Sequence, residues 1–319
     1  MSGNLTDNTT AFIEAQQYSK FILENLPTVL LPEQFYRNVS DFEEGETLNI
    51  KTVGAATLTE VEEDVAAEYR AIETGNVQLV INKYKGAAWY ISDKLREDGS
   101  QIEQLQAMHA QDAMRQMAAS FETDYLAALY AAQTNASPNN VNGFAHRLVG
   151  SGTAEKIALS DLINMQVAFD KANIPVQGRI GIVDPVTAGQ LNALATASVG
   201  VDRNPQFQMQ LEDGFQGNHR FIMNLFGFDI YVSNLLPDVA AGVGDGTSTL
   251  STAGKANIFM SILDDGHKPG MCAWRRAPRT KGEYDMDFER TKFRLTGRWG
   301  CGVQRDDTLG VILTNGIAV

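Results

Sequence analysis

The longest regular pattern in the chain is helical. Across residues 101–133 apolar side chains return as Ile102, Leu105, Ala110, Ala113, Met117, Phe121, Tyr125 and Ala128. That spacing gathers them into one stripe of a 3.6-residue helix. No Gly or Pro interrupts the run. Ser100 with Glu103 matches a capping box at its start. Asn135, Ser137 and Pro138 close it. At 1.5 Å per residue such a helix is about 50 Å long, the width of a domain. The pattern predicts a girder along which other elements are laid.

Period-two alternation appears on both sides of the helix. Leu48 and Ile50 alternate with Thr47, Asn49 and Lys51, and Val77, Leu79 and Ile81 alternate with Gln78 and Asn82. Residues 41–91 therefore read as a long two-stranded ribbon. A ribbon of two strands is marginal alone and leaves an open edge. It either rests on a neighbouring subunit or is an ordinary surface hairpin. Near the C-terminus, Tyr284, Met286 and Phe288 alternate with acidic residues, and Phe293, Leu295, Trp299, Cys301 and Val303 alternate with Lys292, Arg294, Arg298 and Gln304. The apolar parity changes near Arg290, which predicts a bulge or break there. Asp306 and Asp307 make a turn, and Leu309, Val311 and Leu313 form a return strand.

Between these lies an alternation of helix and strand. A helix is predicted from Ser160 or Asp161 to Ala172 and a buried strand over 179–183. A second helix is capped by Asp184 with Pro185 at its first position, and strands follow over 228–232 and 258–263. Residues 159–263 thus read as a compact α/β-type domain. The Ala-, Gly-, Ser- and Thr-rich stretch 239–255 reads as a flexible surface loop. Residues 1–35 read as an arm, weakly amphipathic over 11–26 and then bracketed by Pro27 and Pro32. It either lies on another surface or is disordered.

Charge sharpens the picture. The chain of 319 residues carries a net charge of −13, which disfavours wrapping around nucleic acid phosphates. The charge is segregated. Residues 41–73 hold ten acidic groups and two basic ones, whereas residues 268–305 hold ten basic and four acidic. No run of eighteen apolar residues predicts a membrane span, and no signal-like N-terminus is present, so the expected origin is a cytoplasm with free Cys272 and Cys301.

Candidate chemistry is thin. Asp264-Asp265-Gly266-His267 lacks a second histidine at ligand spacing and reads as a turn. Gly242, Gly244 and Gly246 precede no helix and no Lys-Ser/Thr pair. Ser151 lacks the Gly-x-Ser-x-Gly frame. His109, His146, His219 and His267 are scattered, each a solvated or core histidine. Arg275, Arg276, Arg279 and Lys281 beside Trp274 form a basic run that either touches nucleic acid or makes a salt-bridged face. No catalytic, cofactor-binding or metal-binding residues are assigned, and no cofactor is expected.

The order of arm, ribbon, long helix, α/β domain and returning strands resembles the tailed-bacteriophage major capsid protein of the Hong Kong 97-like fold. Local phrases similar to that family are Ile174-Pro175-Val176 leading into 179–185, the run 227–234, and Arg298-x-Gly300-x-Gly302-Val303. The resemblance implies an α+β fold with an N-terminal arm (1–40), an extended loop (41–91), a peripheral domain (92–158 and 264–319, with the spine helix 101–133) and an axial domain (159–263). It implies a structural protein of the virion, not an enzyme. Hexamers and pentamers would form an icosahedral shell around double-stranded DNA held without sequence-specific binding. The implied partners are a portal protein, a separately encoded scaffolding protein and a decoration or cement protein, with no membrane involved and assembly in the host cytoplasm. Lysine-to-asparagine crosslinking occurs in some members, but no motif identifies an acceptor for Lys51, Lys83 or Lys85. An encapsulin-like nanocompartment shell and, in another class, a cytosolic enzyme are the alternatives. Within the shell reading, the charge segregation predicts that Glu60, Glu62, Glu63 and Asp64 of one subunit meet Arg290, Lys292, Arg294 or Arg298 of its neighbour.

Overall fold

The computed structural model describes residues 31, 33–39, 45–54, 58, 60, 66, 71–99, 102–197 and 221–316. The predicted arm helix over 11–26, the Ser100 cap, His219 and the ribbon residues Glu62, Glu63 and Asp64 lie outside the described residues. In chain order, β1 (Arg37–Asn38), β2 (Thr47–Val53), β3 (Thr74–Val80) and β4 (Lys83–Ser92) come first. A short helix α1 (Asp93–Asp98) leads into the long helix α2 (Ile102–Ala132). Short strands β5 (Asn140–Val141), β6 (Phe144–Ala145) and β7 (Arg147–Val149) precede α3 (Leu159–Lys171), β8 (Arg179–Val183) and α4 (Pro185–Ala197). Then follow β9 (Phe221–Leu225), β10 (Phe228–Val232), β11 (Asp238–Val239), β12 (Gly254–Ser261), β13 (Gly270–Asp285), β14 (Arg290–Val303) and β15 (Leu309–Asn315).

Helix α2 joins two sheets. Of its predicted stripe, Ala113, Met117, Phe121 and Tyr125 are buried against a four-stranded sheet of order β1-β13-β14-β4, whereas Ile102, Ala110 and Ala128 are half-buried and Leu105, in the N-terminal part of the helix, is exposed. Phe121 stacks on Trp274 with centroids 4.6 Å apart and meets Trp299 edge-on at 6.1 Å. One turn later the buried face moves to Leu126 and Leu129, which share their core with Ile180, Ile182, Ile258 and Met260. Those residues belong to a seven-stranded sheet of order β7-β15-β12-β8-β10-β9, with β11 paired to β12. Its other face is covered by α3 and α4 through Leu162, Met165, Phe169, Ala188 and Leu191. Strand β8 is buried at all five residues. With apolar cover on both faces, its sequence reads as a nearly continuous apolar run. The predicted Asp184 cap forms, its Oδ2 accepting the Val186 N–H at 3.0 Å.

The arm's exit is tied to the same helix. Glu122 is buried and accepts the Leu31 N–H at 2.8 Å and the Ser233 hydroxyl at 2.9 Å. Tyr125 donates its hydroxyl to the Phe35 carbonyl at 2.9 Å. Phe35 itself is buried and packs edge-on to Tyr231.

Three local expectations change. The ribbon is real as β2 paired antiparallel with β3, but residues 83–92 of the 41–91 stretch belong to the four-stranded sheet, β4 pairing with β14 over ten residues. The break expected near Arg290 is present as a chain reversal, with β13 and β14 paired from Asp285↔Arg290 to Gly270↔Val303. The bulges lie elsewhere, between Trp274 and Arg279. The predicted flexible loop 239–255 is tied down. Asp245 accepts the N–H groups of Thr247 and Ser248, and the buried Arg147 donates to the Gly244 carbonyl at 2.7 Å. Small polar residues there serve turns and caps rather than mobility. Strands β7 and β15, outside 159–263, complete the seven-stranded sheet.

The ribbon's base lies on the four-stranded sheet through Leu79, Ile81, Met271 and Ala273. Gly300 and Gly302 make that crossing fit. A Cβ on Gly300 would sit 2.4 Å from the Val80 oxygen, and one on Gly302 would sit 3.1 Å from Leu79 Cδ1. Gly300→Ala should therefore lower stability by roughly 1–3 kcal/mol through overpacking, measured by urea denaturation of the unassembled chain. An unchanged midpoint would mean the ribbon base is not seated there.

His146 generates a second prediction. It is buried, its Nδ1 lies 3.2 Å from the Asn139 carbonyl, and its Nε2 has no partner among the described residues. Burial pulls its pKa below the ordinary histidine value, partly opposed by hydrogen bonds to the Phe144 and Asn139 backbone. Below about pH 6.5 the unfolded chain binds a proton that the folded chain refuses. Stability should therefore fall as pH drops from about 6.5 toward the lowered folded pKa. Thermal melts between pH 7 and 5 should show that slope, and His146→Gln should flatten it.

Candidate assembly interface

Alternation along β14 sends Leu295, Trp299 and Cys301 toward α2 and Lys292, Arg294 and Thr296 to the other face. On that outer face the ribbon base covers the sheet near Gly300, and beyond it the surface opens into a groove of about 670 Å³. Six cations line it: Arg276, Arg279, Lys281, Arg290, Lys292 and Arg294. Tyr84 and Tyr90 contribute aromatic walls, and Glu283 is the single carboxylate among the lining residues.

The cations are unequally compensated. Arg290 Nε lies 3.1 Å from Asp285 Oδ2, and its guanidinium sits 4.4 Å from the Phe288 ring centroid and 4.8 Å from that of Tyr90. Lys292 also pairs with Asp285. The Lys292 ammonium and then the Arg290 guanidinium hold the Asp285 carboxyl below the usual range. Arg276 lies over Tyr84 at 5.8 Å. Arg298 is engaged within its own chain, its Nη2 lying 2.6 Å from Glu46 Oε1 at the ribbon base. Lys281 and Arg294 are directly opposite in the β13–β14 register, a like-charged pair that costs folding energy. Neither has an ion pair among the described residues.

Of the predicted contact residues, Arg290, Lys292 and Arg294 thus come together in one groove, and Arg298 stands apart at the ribbon base. Glu60 is exposed on the ribbon. Arg279 and Lys281 join the groove although the basic run 275–281 pointed to no particular partner. The signal that finds them is cross-strand register, which requires knowing that 275–281 is a strand opposite 294–298. Lys83 and Lys85 face the helix, pairing with Asp124 at 3.8 Å and 2.8 Å.

The other motifs resolve into structure. Asp264 accepts from the His267 N–H at 2.8 Å and lies 2.7 Å from its Nδ1, closing a turn after β12. That contact, first among the causes, lowers the Asp264 pKa. His109 packs edge-on to Trp89 at 4.9 Å. The Ser151 N–H donates to Asp161 at 2.9 Å.

A family model described as phage capsid protein matches residues 74–314. No curated protein matches the chain. Among solved structures, the capsid of the cyanophage P-SCSP1u is similar with a TM-score of 0.71 at 13% identity, covering 99% of this chain and 96% of that one. A Mycobacterium phage Che8 structure is similar with a TM-score of 0.65 at 18% identity, covering 94% and 97%. The capsid of a native GTA particle gives 0.64 at 12% identity, covering 99% and 100%. These likenesses show the fold, and the family match spans the long helix, the seven-stranded sheet and the four-stranded sheet apart from β1. The chain belongs to the phage capsid protein family and is a structural protein, a major capsid protein of the Hong Kong 97-like α+β fold.

Proposed function

We propose that copies of this chain assemble as hexamers and pentamers into an icosahedral shell around double-stranded DNA, each acidic ribbon seating in the basic groove of a neighbouring copy. The observation that carries the docking is the like-charged Lys281–Arg294 pair, without an ion pair among the described residues, in a six-cation groove, matched against ten acidic groups in residues 41–73. A like-charged pair that destabilises the free chain becomes favourable when an anionic partner arrives. Glu60, Glu62, Glu63 and Asp64 supply that partner, with Arg279 and Lys281 added to the Arg290, Lys292 and Arg294 side. The ribbon acts as the extended loop. Helix α2 with the four-stranded sheet forms the peripheral domain, and the seven-stranded sheet with α3 and α4 forms the axial domain. A separate scaffolding protein, a portal and a decoration protein complete the assembly, which takes place in the host cytoplasm. The strongly acidic chain encloses DNA without gripping it.

Negative-stain microscopy of the purified chain, alone and with its scaffolding protein, tests the shell. Closed particles are expected, and a monomer under every condition would overturn it. Glu62→Lys with Glu63→Lys should abolish shells while leaving the melting curve of the free chain intact, and adding Lys281→Glu with Arg294→Glu should restore them. Normal shells from the first double variant would sink the docking. Arg294→Ala should move folding and assembly in opposite directions. Removing one like charge should stabilise the free chain by roughly 0.2–1 kcal/mol, while shell yield falls. Chemical denaturation read beside particle counts checks both.

A further inference from the structure

The chain has two cysteines, and the fold sets them against each other. Cys272 on β13 and Cys301 on β14 are directly opposite in register, with Sγ atoms 3.1 Å apart. Both are free thiols, Cys272 buried and Cys301 half-buried. Directly opposite residues of an antiparallel pair have Cα atoms about 4.5–5.5 Å apart, inside the range that a disulfide spans. The sulfurs need only about 1 Å of further approach to reach bonding distance.

Their surroundings are equally specific. β1 pairs alongside at Asn38↔Cys272, and Tyr125 of α2 packs in the same core as both sulfurs. The pair therefore sits where the arm's exit, the long helix and the four-stranded sheet meet. Burial, and then the neighbouring Cys301, pushes the Cys272 thiol well above its ordinary pKa. The half-buried Cys301 is the sulfur that an outside reagent meets first.

We propose that Cys272 and Cys301 are a redox modification site, an intrachain dithiol that small peroxides convert to a disulfide. The Cys301 thiolate attacks one peroxide oxygen, the O–O bond breaks, and sulfenic acid forms with release of one water after proton uptake. The Cys272 sulfur then attacks the Cys301 sulfur. The S–S bond forms, the S–O bond breaks, and the departing hydroxide takes the Cys272 proton as a second water. Two thiols are oxidised and one peroxide is reduced to two waters. In a reducing compartment the pair stays open, and in an oxidising one it closes. The bond ties β13, the strand with which β1 pairs, to β14, so it fixes the arm's attachment point covalently. The proposal needs only the fold and is independent of how ribbons dock.

The test uses the purified full chain treated with hydrogen peroxide near stoichiometry, alkylated under denaturing conditions and mapped without reduction. The expected result is one linked peptide pair containing Cys272 and Cys301, both thiols lost together, reversal by dithiothreitol, and a raised melting temperature in the oxidised form. Cys272→Ser should leave Cys301 trapped as a sulfenic acid that dimedone labels. Cys301→Ser, a change at the more exposed position, should leave Cys272 reduced. Alkylatable thiols after treatment, irreversible over-oxidation of Cys301 in the unsubstituted chain, or disulfides between chains would each overturn the proposal.

Discussion

Everything in this fold leans on one apolar stripe that two sheets share. Helix α2, about 46 Å long over its 31 residues, turns Met117, Phe121 and Tyr125 to the four-stranded sheet and Leu126 and Leu129 to the seven-stranded one. Each sheet has an apolar face that water would otherwise meet, and the helix covers both. The aromatic cluster of Phe121, Trp274 and Trp299 adds orientation to area, since offset and edge-on ring pairs contribute about 0.5–1.5 kcal/mol each beyond burial. Glu122 and Tyr125, on the same surface, satisfy the backbone of the arm's exit. A charge or hydroxyl buried there is tolerable because each is hydrogen-bonded.

Electrostatics then separates folding from assembly. Around Asp285 two cations share one carboxylate, and Arg298 is held by Glu46. Lys281 and Arg294 have no ion pair among the described residues, and the fold bears a small penalty for setting them face to face. Such a penalty is affordable in a domain whose stability comes from two large cores. It also biases the surface toward an anionic partner, which suits a closed assembly built from many contacts of modest strength.

The paired glycines Gly300 and Gly302 show how a local phrase acquires meaning. In sequence they are part of a short resemblance to capsid proteins. In space they are the gap through which the ribbon's base crosses the sheet. The cysteines follow the same logic: separated by 29 positions, they meet only because β13 and β14 pair in one register.

Periodicity by itself determined the elements. The α2 stripe, β8, β10, the Asp184 cap and the alternating ribbon strands were legible because side-chain direction follows the local period of helix or strand. The segregation of acidic and basic charge was legible for the same reason, being a property of the chain and not of contacts. Tertiary structure decided which strands pair. It moved residues 83–92 from the ribbon into the four-stranded sheet and made the break near Arg290 a chain reversal. It drew β15 and β7 into the seven-stranded sheet and shifted the helix stripe by one residue to Leu126. It also gathered Arg279, Lys281 and Arg294 into one groove and brought two thiols together. Register joins residues far apart in the chain, and no local propensity encodes it. Pairing is settled by which apolar faces can be buried together, a condition that exists only once the whole chain has folded.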